Sequence, residues 1–275
     1  MTVALRRTSR LLRLTSHILA SLPIALFFAW QRRQGHLHQS SLRPAMEWWF
    51  RGILRALEIR IELHGAPLDR PHLCVANHVS WLDIMALGAM REGRFLAKEE
   101  VAAWPLFGWL ARVTGTLFVK RGSAREARAS MQGIADRLAA GESVLLFPEG
   151  TTTQGDRVAP FHAGMLEAAS LAGRPIQPVA LSYLDERRNP SQVAPFVGEE
   201  GLGSHIWRLL ELPELTVRLH YLPPIPGSVS RREAAALSHK VIAAAVRNDW
   251  AGWRGVEVVE RDESQGDWVV AGVAG

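Results

Sequence analysis

Leu73-Cys74-Val75-Ala76-Asn77-His78-Val79-Ser80-Trp81-Leu82-Asp83 is the stretch that decides how the chain is read. Its first four residues are apolar and suit a buried strand. The run from Ser80 to Met90 is helix-like, so Asn77 and His78 fall in a strand-to-helix turn. His78 and Asp83 stand five apart, a spacing that means little alone. His64 and Asp69 repeat it, and His162 stands five before Glu167. Context separates the three. His64 to Asp69 encloses glycine and proline and reads as a solvated turn. His162 and Glu167 open an expected helix, where five residues advance the chain by about 500° and place the side chains on different faces. His78 lies in the turn and Asp83 in the first helical turn after it, so the carboxylate can meet one imidazole nitrogen. The other nitrogen then faces the opening beyond the strand's C-terminal end, where α/β sheets place ligands. Asn77 and Ser80 offer cap and turn hydrogen bonds that fix the bend. On geometry alone the pair reads either as a base with its orienting carboxylate or as an accident of composition.

Outward from this turn, short apolar runs alternate with helical stretches. Ile59, Ile61 and Leu63 alternate with charged residues, as in a half-buried strand. Further strand-like runs cover 73–76, 95–97, 116–119, 144–147, 176–181 and 215–222, and helical stretches cover 124–140, 164–172 and 231–246. This order predicts one α/β domain over residues 58–253 around a largely parallel, buried sheet. Residues 182–214 fit no simple element. The acidic tail, 254–275, lacks periodicity and is expected to be loose.

Two other strand ends carry polar residues. Leu145-Leu146-Phe147-Pro148 runs into Glu149, Gly150 and the threonines 151–153. Gly150 permits a close backbone approach, and hydroxyls can bind a polar head. This loop and the His78 loop both follow expected parallel strands, which puts them on one sheet edge. The bland alternative is an ordinary strand exit. The run Gly115–Val119 ends in Lys120 and Arg121; a guanidinium there can take a phosphate in bidentate geometry, whereas a solvated strand end is the bland reading.

The N-terminal region is different in character. Its apolar heart, 18–30, is shorter than the ~20 residues that span a bilayer and has arginines at both ends. In residues 44–57, Met46, Trp49, Phe50, Ile53, Leu54 and Leu57 share one helical face. Residues 1–60 hold ten arginines against Glu47 and Glu58, within a chain of net charge +5. Packing on the core would explain the second segment equally well. Together the two segments predict membrane-associating helices over 1–57, lying in the inner leaflet. Charge patterning of nucleic-acid modules is absent, so no nucleic-acid partner is expected. The single cysteine, Cys74, excludes a disulfide framework and a cysteine-based metal site.

At this point the chain resembles the membrane-bound glycerophospholipid acyltransferases, specifically the 1-acylglycerol-3-phosphate O-acyltransferases. Four blocks match in order: Asn77-His78-x-Ser80-x-x-Asp83; Lys98 through Pro105 with Gly108, Gly115, Phe118 and Arg121; Phe147-Pro148-Glu149-Gly150-Thr151; and Ile176-Gln177-Pro178-Val179-Ala180. One position departs. Many lysophosphatidate enzymes carry arginine after the third block, where this chain has Thr152. That variant is similar to lyso-ornithine-lipid acyltransferases.

The resemblance implies transfer of a fatty acyl group from acyl-CoA or acyl carrier protein to a lysolipid hydroxyl, with lysophosphatidate as the first expectation and lyso-ornithine lipid as the alternative. It implies His78 as general base with Asp83, and an acceptor site drawn from Asn77, Ser80, Lys98, Arg121, Glu149, Gly150, Thr151, Thr152 and Arg157, the last replacing the arginine missing at 152. No metal or cofactor is called for. The expected location is the cytoplasmic face of a bacterial inner membrane. A hydrolase and a non-catalytic lipid-binding module are the competing classes.

Overall fold

The computed structural model describes residues 2–37, 39–90, 93–103, 107–119, 123–250, 256–261 and 268–274. Two long helices come first, α1 (Val3–Arg33) and α2 (Gln39–Ala56). Then follow β1 (Ile59–His64), β2 (Leu73–Ala76), α3 (Leu82–Ala89), β3 (Arg94–Lys98), α4 (Phe107–Thr114), β4 (Leu117–Val119), α5 (Ala124–Ala139) and β5 (Val144–Leu146). A 3-10 turn, Ala163–Leu166, leads into α6 (Glu167–Leu171), so the helix expected over 164–172 is shorter and tighter at its start. After it come β6 (Ile176–Leu184), α7 (Leu202–Leu209), β7 (Leu215–Tyr221) and α8 (Arg231–Trp250). The tail, expected to be loose, holds β8 (Val256–Arg261) and β9 (Trp268–Ala274), paired antiparallel in a separate two-stranded sheet. Valines at 256, 258, 259, 269, 270 and 273 supply the β propensity that a search for amphipathic period overlooks.

Seven strands form the main sheet in the order β1-β7-β6-β2-β5-β3-β4. All neighbours are parallel except β6 and β7. Consequently β1 and β7 run opposite to the other five. The register places Leu73 and Val75 of β2 opposite Val144 and Leu146 of β5. Side-by-side parallel strands in register end at one edge, so the loops after Ala76 and Leu146 emerge together. His64 closes β1 and belongs to the reversed pair. Its Nε2 lies 2.8 Å from Glu62, and its ring stacks on His220 of β7 at 4.7 Å. It is therefore strand and not turn, which corrects the solvated reading.

The sheet is covered on both faces. One apolar cluster joins α2 and α3 to the sheet and includes Phe50, Leu54, Leu57, Leu82, Leu87, Val179 and Leu219. The other lies under α5, α6 and α8 and includes Ile134, Leu138, Leu146, Leu166 and Ile242. The apolar face of α2 is thus spent on the core. Phe50 meets Phe95 edge-on at 5.5 Å, and any Cβ at Gly88 of α3 would overlap the Phe50 ring. The periodicity of α2 therefore reports burial against α3, the packing alternative of the sequence reading.

Helix α1 is different. It runs for 31 residues through Pro23, roughly 46 Å at 1.5 Å per residue. It is long and apolar enough to cross a membrane by length and composition. Arg10, Leu14, Ser21, Ala25 and Phe28 form its buried face. On the opposite face Leu5, Leu12, Leu19 and Leu26 recur every seven residues and, with Trp30, stay exposed. The N-terminal half is pinned to the body by arginine. Arg10, 1% exposed, bonds Glu58 at 2.8 Å and the carbonyl oxygen of Leu212 at 2.6 Å. Weaker bonds reach the carbonyls of Leu209 and Leu210 at the end of α7. Arg13 also reaches Glu58, at 2.6 Å, and Arg6 donates to the Glu211 carbonyl at 2.7 Å. Arg6 and Arg10 thus satisfy carbonyls at and just beyond the C-terminal end of α7.

Candidate active site

The turn between β2 and α3 is built from the backbone outward. Asn77 is fully buried and clamps β6: its Nδ2 donates to the Leu181 carbonyl at 3.0 Å, while Leu181 N–H donates to its Oδ1 at 2.7 Å. The chain then bends, and Asp83 closes the bend. Its Oδ2 accepts from the backbone N–H groups of Val79 at 2.7 Å and Ser80 at 2.9 Å, and from His78 Nδ1 at 2.7 Å. Its Oδ1 accepts from the Tyr183 hydroxyl at 2.5 Å. Asp83 has no exposed surface. Burial, followed by the Asp83 charge, pushes the Tyr183 hydroxyl well above its ordinary pKa, so it remains a donor.

A carboxylate on Nδ1 requires the proton there. That leaves Nε2 of His78 as the free basic nitrogen. The imidazole is stacked on Phe147 with centroids 4.1 Å apart and planes 12° from parallel. The ring is therefore held by Asp83 at one edge and by Phe147 across its face. Phe147 is the residue after β5, so the second strand end orients the first.

Glu149 continues that link. One carboxylate oxygen accepts from His78 N–H at 2.7 Å, and the other from Ala159 N–H at 2.7 Å. Burial raises its pKa despite both bonds. Its oxygens serve the protein's own loops, whereas the sequence suggested a head-group ligand. Gly150 takes φ 71°, a left-handed conformation that favours glycine. Thr153 N–H donates to the His78 carbonyl at 2.9 Å, and Thr152 Oγ1 donates to the Phe196 carbonyl at 2.6 Å. Phe196 N–H in turn donates to the Val79 carbonyl at 2.9 Å.

His78, Trp81, Phe147, Gly150, Thr151 and Thr152 line a cavity of about 1320 Å³. Its walls are mostly apolar. On one side Leu14, Ile18 and Leu22 of α1 face Ile206 of α7; on the other stand Leu96, Val119, Met131 and Met165. Asn77 and Ser80 are buried in the turn and act on its shape. Arg157 is exposed and is not among the residues lining the cavity. Arg121 lies outside the described residues, as does the side chain of Lys98. Tyr183 was missed by the sequence reading. It continues the alternation of Val179 and Leu181, and only the expected end of that strand at Leu181 hid it.

A sequence profile of the Acyltransferase family matches residues 59–182. A lyso-ornithine lipid O-acyltransferase of Pseudomonas aeruginosa is 39% identical over 246 residues, covering 88% of this chain and 94% of that protein. The chain belongs to the acyltransferase family. A 1-acyl-sn-glycerol-3-phosphate acyltransferase of Neisseria meningitidis is 33% identical over 204 residues, covering 72% of this chain and 79% of that protein. The crystal structure of the 1-acyl-sn-glycerophosphate acyltransferase of Thermotoga maritima has the same fold. Its TM-score is 0.66 at 21% identity, over 90% of this chain and 99% of that one. The molecule is an enzyme of the acyltransferase class, and the resemblance seen in the four sequence blocks holds.

Proposed function

We propose that this acyltransferase moves a fatty acyl group from an acyl thioester to the free hydroxyl of a lysolipid, with His78 as general base and Asp83 as its orienting partner. The geometry at His78 carries the reading: Nδ1 is fixed 2.7 Å from a buried carboxylate, while the side chain borders a largely apolar cavity of about 1320 Å³. An alcohol is too weak an acid to attack unaided, so its proton must leave as the C–O bond forms. Nε2 takes that proton, and Asp83 supports the imidazolium. The tetrahedral intermediate then expels the thiolate, which receives the proton from Nε2. No acyl-enzyme is needed. The donor is a CoA or carrier-protein thioester.

For the acceptor we favour lyso-ornithine lipid. Thr152 stands where a phosphate-binding arginine is found in many lysophosphatidate enzymes, and its hydroxyl is tied to Phe196. An uncharged residue there suits a head group that carries an amine. The similarity to the Pseudomonas enzyme points the same way. The Neisseria relative favours the second reading, lysophosphatidate, in which Arg121 would hold the phosphate. The exposed leucine stripe of α1 supports attachment to a membrane, and the cytoplasmic face is where thioester donors are made available. Equal amounts of both lysolipids, offered together with one acyl thioester, decide the acceptor. Ornithine lipid should dominate the products. Dominant phosphatidate would overturn this choice and promote the second.

A further inference from the structure

The segment 185–201 crosses from β6 to α7 over the catalytic turn. It is tied down at Phe196, whose N–H reaches the Val79 carbonyl and whose carbonyl takes the Thr152 hydroxyl. A third tie is a side chain. His205 of α7 has no exposed surface, and its Nδ1 lies 2.9 Å from the indole Nε1 of Trp81. Its Nε2 lies 3.0 Å from the Val193 carbonyl. Indole N–H can only donate, so Nδ1 must accept; a carbonyl can only accept, so Nε2 must carry the proton. Both bonds exist together only in the neutral Nε2–H tautomer.

What His205 joins matters. Trp81 stands between Ser80 and Asp83 in the catalytic turn. Trp81, Phe196 and Ile206 all line the cavity. They do so beside α1, since Trp81, Ile206 and Leu14 pack in one apolar cluster. Met131 and Leu146 of the opposite wall belong to the other cluster. The α1 side belongs to the helix with the exposed leucine stripe and so suits a lysolipid delivered from a membrane. On the α5 side Arg128 and Gln132 line the cavity, polar groups that suit a water-soluble thioester.

We propose that His205 is a positioning residue for the acceptor wall of the active site, active in its neutral form and released by protonation. This rests on the reading of the cavity as a lysolipid acyltransferase site. Protonation places a second N–H against the Trp81 indole N–H. The tie between α7 and the catalytic turn then opens, and the acceptor wall loses its shape while His78 and Asp83 keep their own bond. The charged neighbours are Glu200, facing His205 from the segment, and Arg208 of its own helix; they bond each other at 2.6–2.9 Å and act in opposite senses. Burial is the larger influence and sets the His205 pKa below the usual 6.5. The ring is therefore neutral at neutral pH and charges on the acid side.

The test is KM for the acceptor and KM for the donor, each measured from pH 8 down to about 5, for wild type, His205→Gln and His205→Phe in detergent-dispersed lipid. Glutamine offers an acceptor and a donor but does not titrate. Wild type should show acceptor KM rising at acid pH relative to His205→Gln, with donor KM unaffected. His205→Phe, which loses the bonds to both Trp81 and Val193, should raise acceptor KM by about tenfold or more at every pH. If His205→Phe fails to fold, the wild-type and glutamine profiles decide the matter. Parallel acceptor-KM profiles for those two, or equal effects on acceptor and donor, would reduce His205 to a structural role and overturn the proposal. His78→Ala run alongside separates the two claims. An active His78→Ala would sink the catalytic reading, whereas a dead one with a flat His205 comparison would sink only this inference.

Discussion

Asp83 is held by four donors: two backbone N–H groups, the His78 ring and the Tyr183 hydroxyl. Replacing it with asparagine presents an N–H₂ group to donors, so Asp83→Asn should cost activity severely through the wrong His78 tautomer. Tyr183→Phe removes one donor and leaves the other contacts. Stability should fall by about 1–3 kcal/mol, because a buried carboxylate oxygen is left unpaired; denaturant midpoints measure this, and kcat should fall with it. His64→Ala should leave turnover near wild type, for His64 sits in the reversed strand pair away from His78. It should show instead in acid stability. Glu62 is held down to about pKa 2 from 4.5; burial works against this, but His64, Arg188 and Arg218 outweigh it. A depressed carboxylate stabilises the fold above its unfolded pKa, and that contribution fades as pH falls from 4.5 towards 2. Losing His64 should shrink the contribution, visible as a smaller drop in unfolding free energy across that window. At this scale the contact between His78 and Asp83 was legible because a turn allows only a few partners at close range. The bonds that Glu149 makes were not legible, since nothing in the linear order says that Ala159 N–H returns to it.

Helix α1 has two faces with different duties, and each makes its own prediction. Arg10 joins Glu58 to the last carbonyls of α7, so Arg10→Ala should destabilise the fold by roughly 2 kcal/mol or more, as charged hydrogen bonds are lost from a buried position. Urea unfolding checks it. Because α7 carries His205, activity should fall in parallel. Leu12→Glu with Leu19→Glu changes only the exposed stripe. That pair should leave the urea midpoint unchanged and weaken sedimentation with phospholipid vesicles, since each buried leucine is worth about 1.5–3 kcal/mol. Unchanged vesicle binding would remove α1 from the membrane. The periodicity of α2 was readable, but periodicity names a face and not its partner. The apolar face of α2 met α3. Arg10 shares a helical face with Leu14, Ala25 and Phe28, and that coincidence was the available sign that it points inward.

Across the whole molecule, the alternation of short strands and helices was enough to anticipate a mostly parallel sheet with the His78 and Glu149 loops on one edge. The reversal of β1 and β7 was not, because direction depends on connections through 185–214, where no period shows. The same stretch supplies Phe196 and His205, so their ties to the His78 turn stayed hidden while the turn itself did not. His78 lines a cavity bordered by α1 and α7 residues of one apolar cluster and by α5 residues of the other. The central claim is that His78 transfers the acceptor's proton. The most direct measurement is mass spectrometry of the products that wild type and His78→Ala form from an acyl thioester with and without lysolipid, both proteins being first shown to unfold at the same urea concentration. Wild type should make the diacyl lipid only when the lysolipid is present, and His78→Ala should make it a hundred- to ten-thousandfold more slowly, as expected for loss of a general base. Diacyl product from His78→Ala at a wild-type rate, or free fatty acid as the wild-type product, would contradict the account.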